Sequence, residues 1–223
     1  MKKRTPFLID GAGNMAYENQ IVLIIFLVDN SGSMRGEFIE SVRSTGKEII
    51  LNLSRRQQDA PIYAGAIVFA KDAKWILSEK FCPLEDLPWD SIVPEDRLSD
   101  DLPPSQRLDG VTQIGKAFDL LNEALTETSL RNSFPGTAWK ILAVLYSDGR
   151  PTDRYEDSLA TLKENALFSS AAKIAIGVGE SVDRLMLGKF AESVDNVLLI
   201  MEYGDIMGKI ENELFDRREL YGV

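Results

Sequence analysis

Five oxygen-bearing side chains in this sequence sit where a metal ion could use them. In FLVDNSGSM, residues 26–34, Asp29, Ser31 and Ser33 place small oxygen donors on alternate positions directly after the apolar run 21–28. Gly32 between the serines permits a tight turn that points both hydroxyls the same way. A second acid, Asp148, ends another apolar run in AVLYSDGRPTD, and Thr112 stands at the mouth of an amphipathic stretch in DGVTQIGKAF. Carboxylate and hydroxyl oxygens with no nitrogen or sulfur suit a hard cation: Mg2+, or Mn2+ or Ca2+ in its place. Two acids in one crevice repel unless a cation lies between them. Two carboxylates plus neutral hydroxyls balance a divalent charge and leave room for one more anionic oxygen from outside.

Composition removes most other chemistries. Histidine is absent and Cys82 is the only cysteine, which excludes imidazole-based triads, thiolate zinc clusters and an internal disulfide. The 35 acidic against 25 basic residues give a net charge of -10, which disfavours nucleic acid and anionic membrane surfaces as partners. The longest apolar run is eight residues, 21–28, far below the roughly 20 that a membrane-spanning helix needs. The basic start MKKRTPFLID is cut by Pro6 and Asp10 before a signal-peptide core can form, so a cytoplasmic protein is expected.

The elements that position these residues follow from periodicity. The run 21–28 lacks polar alternation and reads as a strand covered on both faces, the middle of a parallel sheet. Apolar residues then recur at helical spacing from about 35 to 55. Residues 62–70 and 74–81 read as two strands whose short link forces them antiparallel. Residues 82–111 hold five prolines and eight acids against two arginines and show no period, so a long surface loop and specificity element is expected. Beyond it come helix 114–125, a polar link, strand 139–147, helix 156–169, strand 173–179, helix 182–190, strand 196–201 and helix 204–218. This alternation predicts an α/β fold, Rossmann-like and doubly wound, with a mostly parallel sheet and one antiparallel edge strand. In such sheets sites form beyond the carboxyl ends of strands at the point where strand order reverses. Asp29 and Asp148 would share that rim if their strands are neighbours.

The segments DNSGSM, VTQIG and YSDGRPTD, in this order and spacing, resemble the three segments of the von Willebrand factor A-type (vWA) domain. The resemblance covers roughly residues 20–215 and implies a metal-ion-dependent adhesion site. It implies that Ser31 and Ser33 bind the metal directly, that Asp29, Thr112 and Asp148 bind directly or through water, and that an Asp or Glu of a protein partner completes the coordination. SDGRPTD and SGSMRGE are most similar to bacterial tellurite-resistance-associated proteins of the TerY type, which implies a stress-response setting with kinase-like or phosphatase-like partners. The expected organisation is an N-terminal extension, 1–20, followed by a single vWA domain, 21–218. Where many relatives carry a glycine run before the threonine, this chain has Asp109, Gly110 and Val111.

Plainer roles exist for each residue. Ser33 and Thr112 each precede a helix and could be N-caps; Asp148-Gly149 is a common turn pair; Asp29 could start an Asx turn. Asp153 reads as the cap of the helix YEDSLATL, or else as an acid behind the site. Trp75 and Trp139 fall in strands and are expected in the core, leaving Trp89, inside the acidic loop, open to a partner. Two other functions compete with a binding module. One is a Mg2+-dependent phosphatase or phosphotransferase with Asp29 as nucleophile, disfavoured because Ser31 stands where a second acid is needed. The other is a purely structural metal, with assembly through residues 1–20.

Overall fold

The greasiest segment of the chain becomes its central strand. In a computed structural model, which describes residues 8–9, 15–16, 20–56, 60–92 and 111–215, β3 (Gln20–Asp29) is buried at every position after Gln20. Two short strands precede it, β1 (Leu8–Ile9) and β2 (Met15–Ala16), paired antiparallel as a separate ladder. Apart from these residues and Gln20, the 1–20 extension lies outside the described residues.

Parallel neighbours flank β3 on both sides: β4 (Ile62–Phe69) and β7 (Ala138–Ser147). β8 (Ala172–Gly177) and β9 (Val197–Leu199) extend the sheet beyond β7, also parallel. Strand order therefore reverses at β3, which receives β4 on one side and β7 on the other. This is the doubly wound, Rossmann-like arrangement expected.

The antiparallel edge is one strand in two pieces. β5 (Ala73–Trp75) pairs with Ile67–Phe69 and β6 (Cys82–Pro83) with Tyr63 and Ala64, so the chain from 73 to 83 runs back along β4. Between them the backbone bulges over Gly65, where an added Cβ would collide with the carbonyl oxygen of Lys80. The expected continuous strand 74–81 is shorter for this reason.

Period-two alternation divides the core into two layers. Val22, Ile24, Phe26 and Val28 face α1 (Glu37–Ser54) and α8 (Tyr203–Phe215). Ile21, Leu23, Ile25 and Leu27 face the opposite layer, which contains α3 (Ile114–Ala124), α5 (Glu156–Glu164) and α7 (Arg184–Ala191). On α1 the buried set Ile39, Val42, Gly46, Ile49 and Leu53 steps by three and four, giving one continuous apolar stripe.

Four expectations need correction. The stretch 82–92 is not open loop: it forms β6, a 3-10 turn (Leu84–Asp86) and α2 (Trp89–Ile92), and buries Leu84, Leu87, Trp89 and Ile92. Residues 93–110 lie outside the described residues. Trp89, at 4% exposure, is the most buried of the three tryptophans, while Trp75 and Trp139 are half-buried. Its ring lies over Gly46, where any Cβ would overlap the indole, donates Nε1–H to the carbonyl of Arg43 (3.0 Å), and packs edge-on against Phe26 (5.1 Å between centroids). Finally, the polar link after α3 contains α4 (Glu127–Ser133), capped by the Thr126 hydroxyl, and helix 156–169 is broken at Asn165, whose side chain caps α6 (Ala166–Ser170). The last helix is described to Phe215, with 216–218 outside the described residues.

Candidate metal centre

Strand register places the acids. Val28 pairs with Tyr146, so the next residues, Asp29 and Ser147, are cross-strand neighbours at the carboxyl ends of β3 and β7. Both follow odd-numbered core positions and point toward the α3 layer, where the Ser147 hydroxyl donates to Asp29 Oδ2 at 2.7 Å. The other oxygen, Oδ1, accepts the Ser31 backbone N–H at 2.9 Å. The Asx turn weighed for Asp29 therefore forms, and it delivers Ser31 to the rim: its Oγ lies 3.1 Å from that of Ser33.

Asp148 follows directly after β7. Its Oδ1 accepts the Arg150 N–H (3.0 Å), and its carbonyl accepts the Asp183 N–H (2.8 Å), fastening this loop to the start of α7, which Asp183 caps through Leu185 and Met186. Gly149 has φ +77°, and an added Cβ would lie 2.7 Å from the Asp183 carbonyl oxygen, so the turn after Asp148 requires glycine.

Thr112 stands two residues before α3, in a segment fastened near the carboxyl end of β4. The Gln113 N–H donates to the carbonyl of Ala70, just past the end of β4 (2.7 Å), while Thr112 itself is tied to Thr152, four residues after Asp148. The sequence reading missed Ser147 and Thr152. Both are ordinary strand-end and turn hydroxyls until register and loop contacts give them partners.

The plainer capping roles do not hold. The N-cap of α3 is Gln113 and that of α1 is Gly36, neither with a side-chain cap, and Ser31 at the N-cap of the 3-10 turn Gly32–Met34 makes no capping bond either. The Ser31 and Ser33 hydroxyls bond to each other, and the Ser31 side chain also bonds the Asp29 carboxylate. The Thr112 hydroxyl, on a residue 3% exposed, has no hydrogen-bond partner among the described residues. Asp153 does not cap its own helix: its Oδ2 accepts the Gly115 N–H at 2.8 Å, in the first turn of α3.

Electrostatics supply the test of fit for a cation. Asp29 is fully buried and Asp148 is 7% exposed, and no lysine or arginine among the described residues pairs with either. Burial pushes the Asp29 carboxyl up from its ordinary 3.8 to about 6; the hydrogen bonds from Ser31 and Ser147 offset part of this, and the nearby Asp148 charge adds to it. A buried acid beside a second acid, with neutral donors around it, favours a cation. No group of three or more His, Cys, Asp or Glu side chains suited to a metal exists among the described residues. A metal here would therefore rest on two carboxylates, hydroxyls, water and an outside anion, a set that fits a hard divalent ion. Beside it opens a groove of about 220 Å3, lined by Ser33, Asp148, Phe38, Arg150 and Gly179 among others. Two larger grooves, of about 440 and 460 Å3, lie away from this rim.

Fold and rim together define a doubly wound α/β domain with carboxylate and hydroxyl oxygens gathered at its switch point. The chain belongs to the von Willebrand factor type A domain family, whose model matches residues 24–211. Solved structures agree on the fold. An aerotolerance-related membrane protein from Bacteroides fragilis is 17% identical, with 86% of this chain and 98% of that one covered and a TM-score of 0.57. Proximal thread matrix protein 1 of the mussel byssus, with a zinc-occupied MIDAS motif, is 20% identical over 87% of this chain and 48% of its own, at a TM-score of 0.58. The manganese-loaded TRAP protein of Plasmodium vivax is 18% identical over 86% and 73%, at 0.59. This chain thus spans nearly all of the Bacteroides chain and about half of the mussel one. No curated protein matches the chain by sequence. No helix among the described residues is long and apolar enough to cross a membrane.

Proposed function

We propose that this protein is a divalent-metal-dependent protein-binding module with no catalytic activity of its own, in which Asp29, Ser31, Ser33, Thr112 and Asp148 hold the ion. The reading rests above all on two acids at neighbouring strand ends, one of them fully buried, with no cationic partner among the described residues. When bound, the ion supplies a Lewis-acidic position for an Asp or Glu carboxylate of the partner. The chain's own residues do the rest. Ser147 and the Ser31 amide orient Asp29, the Gly149 turn aims Asp148, and the groove beside Ser33 receives the side chains next to the partner's acid, with Arg150 on its rim. The oxygen-only donor set favours Mg2+, with Mn2+ or Ca2+ able to replace it.

The functional unit in this reading is a single vWA domain over 21–218 with residues 1–20 as an extension, working in the cytoplasm. The likeness of SGSMRGE and SDGRPTD to TerY-type proteins supports a role in a tellurite-resistance or stress-response complex with kinase-like or phosphatase-like partners. A phosphatase built on Asp29 has less support, because both Asp29 oxygens accept hydrogen bonds inside the protein and no second acid stands at position 31. The test is a pull-down in Mg2+ and in EDTA with the wild type and the Ser31→Ala/Ser33→Ala variant. Capture should occur only for the wild type in Mg2+; a partner retained equally by the double variant rules the mechanism out.

A further inference from the structure

Of the five proposed ligands, Thr112 is the one whose place neither β3 nor β7 dictates. Residues 111–113 belong to no helix or strand, and α3 starts only at Ile114. Something else must set this hydroxyl to the fraction of an ångström that coordination demands. Thr152 is in the right place to do so. Its Oγ1 accepts the Thr112 N–H at 2.9 Å and donates to the Thr112 carbonyl at 3.3 Å, and its own N–H donates to that same carbonyl at 2.8 Å. Both backbone polar groups of Thr112 are thereby used, and its side-chain hydroxyl is the group left over. Asp153 adds a second tie through the Gly115 N–H, a carboxylate at the positive end of α3. Gly115 permits the approach, since an added Cβ would lie 2.8 Å from Asp153 Oδ2 and 3.3 Å from Tyr155 Cα.

We propose that Thr152 and Asp153 are positioning residues: a two-point clamp that locks the Thr112 segment to the Asp148 loop, so that the hydroxyl of one and the carboxylate of the other face the same ion. The proposal rests on the metal reading above. Thr152 is itself exposed and contributes little to the core, which separates this role from a general structural one. Three residues link Asp148 to Thr152, so the PTD continuation of SDGRPTD carries the placement of a ligand some forty residues upstream.

Metal affinity by calorimetry, with Mg2+ and Mn2+ as probes, tests this in Thr152→Val, Thr152→Ser, Thr112→Ala and the Thr112→Ala/Thr152→Val pair. Removing a group that orients a metal ligand ordinarily costs about 10–100-fold in affinity. That loss is expected for Thr152→Val, with Thr152→Ser close to wild type. In the Thr112→Ala background Thr152→Val should add nothing, because its effect passes through Thr112. Hydrogen exchange in EDTA should show the Thr112 amide losing protection in Thr152→Val with no metal involved. The clamp is overturned if Thr152→Val binds metal like wild type while Thr112→Ala does not, or if the two losses multiply in the pair. Asp29→Asn serves as the control: affinity equal to wild type there overturns the metal reading itself and the clamp with it.

Discussion

Asp29→Asn should make the metal-free protein more stable and the metal-loaded protein less so. Burial raises the Asp29 carboxyl from 3.8 to about 6, so between those values the folded chain holds a proton that the unfolded chain has released. Metal-free stability therefore falls as pH rises through this window, and the whole penalty is present above it. About two units at about 1.4 kcal/mol each amount to roughly 3 kcal/mol at pH 7.5. Asparagine recovers less than that. Its carbonyl can accept the Ser31 N–H, but its amide must donate to a Ser147 Oγ that already accepts the Gly149 N–H. A net gain of about 1–2 kcal/mol remains, or roughly 2–8 °C in melting temperature for a domain of this size. Thermal unfolding followed by circular dichroism in EDTA should show the gain at pH 7.5 and its disappearance near pH 4, where the wild-type acid is protonated. In Mg2+ at a hundred times the dissociation constant, the wild type should gain about 2.7 kcal/mol and the variant almost nothing. An Asp29→Asn protein that is less stable than wild type in EDTA at pH 7.5, or equally protected by Mg2+, refutes the reasoning.

Two further substitutions separate fold from site. Trp89→Ala empties the space over Gly46 and beside Phe26 and should cost about 3–5 kcal/mol in urea unfolding; it should leave metal affinity within twofold at temperatures where the variant is folded, whereas a tryptophan reserved for a partner would cost almost nothing. Gly149→Ala must place a side chain at φ +77° against the Asp183 carbonyl. It should lose at least about 1–2 kcal/mol from the backbone alone and weaken Mg2+ binding by shifting Asp148, both read in the same unfolding and titration experiments.

Much of this protein was legible without coordinates, and the gaps have physical causes. The eight apolar residues of 21–28 announced a doubly covered strand because nothing exposed tolerates such a run, and strand-helix alternation led to the doubly wound sheet with its switch point at Asp29. The oxygen donors were legible because residue type and local spacing carry coordination chemistry, and the lack of histidine narrowed the ion. Trp89 was misread because a segment with no period gives no sign of burial: what buries its indole is a glycine hollow on α1, forty-three positions earlier. Asp153 was assigned to the helix that follows it because local capping is visible along the chain, while its actual partner, the Gly115 amide, belongs to another helix.

The sequence by itself determined the chemical inventory: Asp29, Ser31, Ser33, Thr112 and Asp148 as available oxygens, at the ends of segments that periodicity could place. Tertiary structure alone decided which groups hold them. Cross-strand register put Ser147 against Asp29, 118 residues apart, and a reciprocal set of hydrogen bonds brought Thr152 to Thr112. Such pairings leave no local trace, since a hydroxyl at a strand end or in a turn looks the same whether its partner is water or a loop from the far side of the sheet.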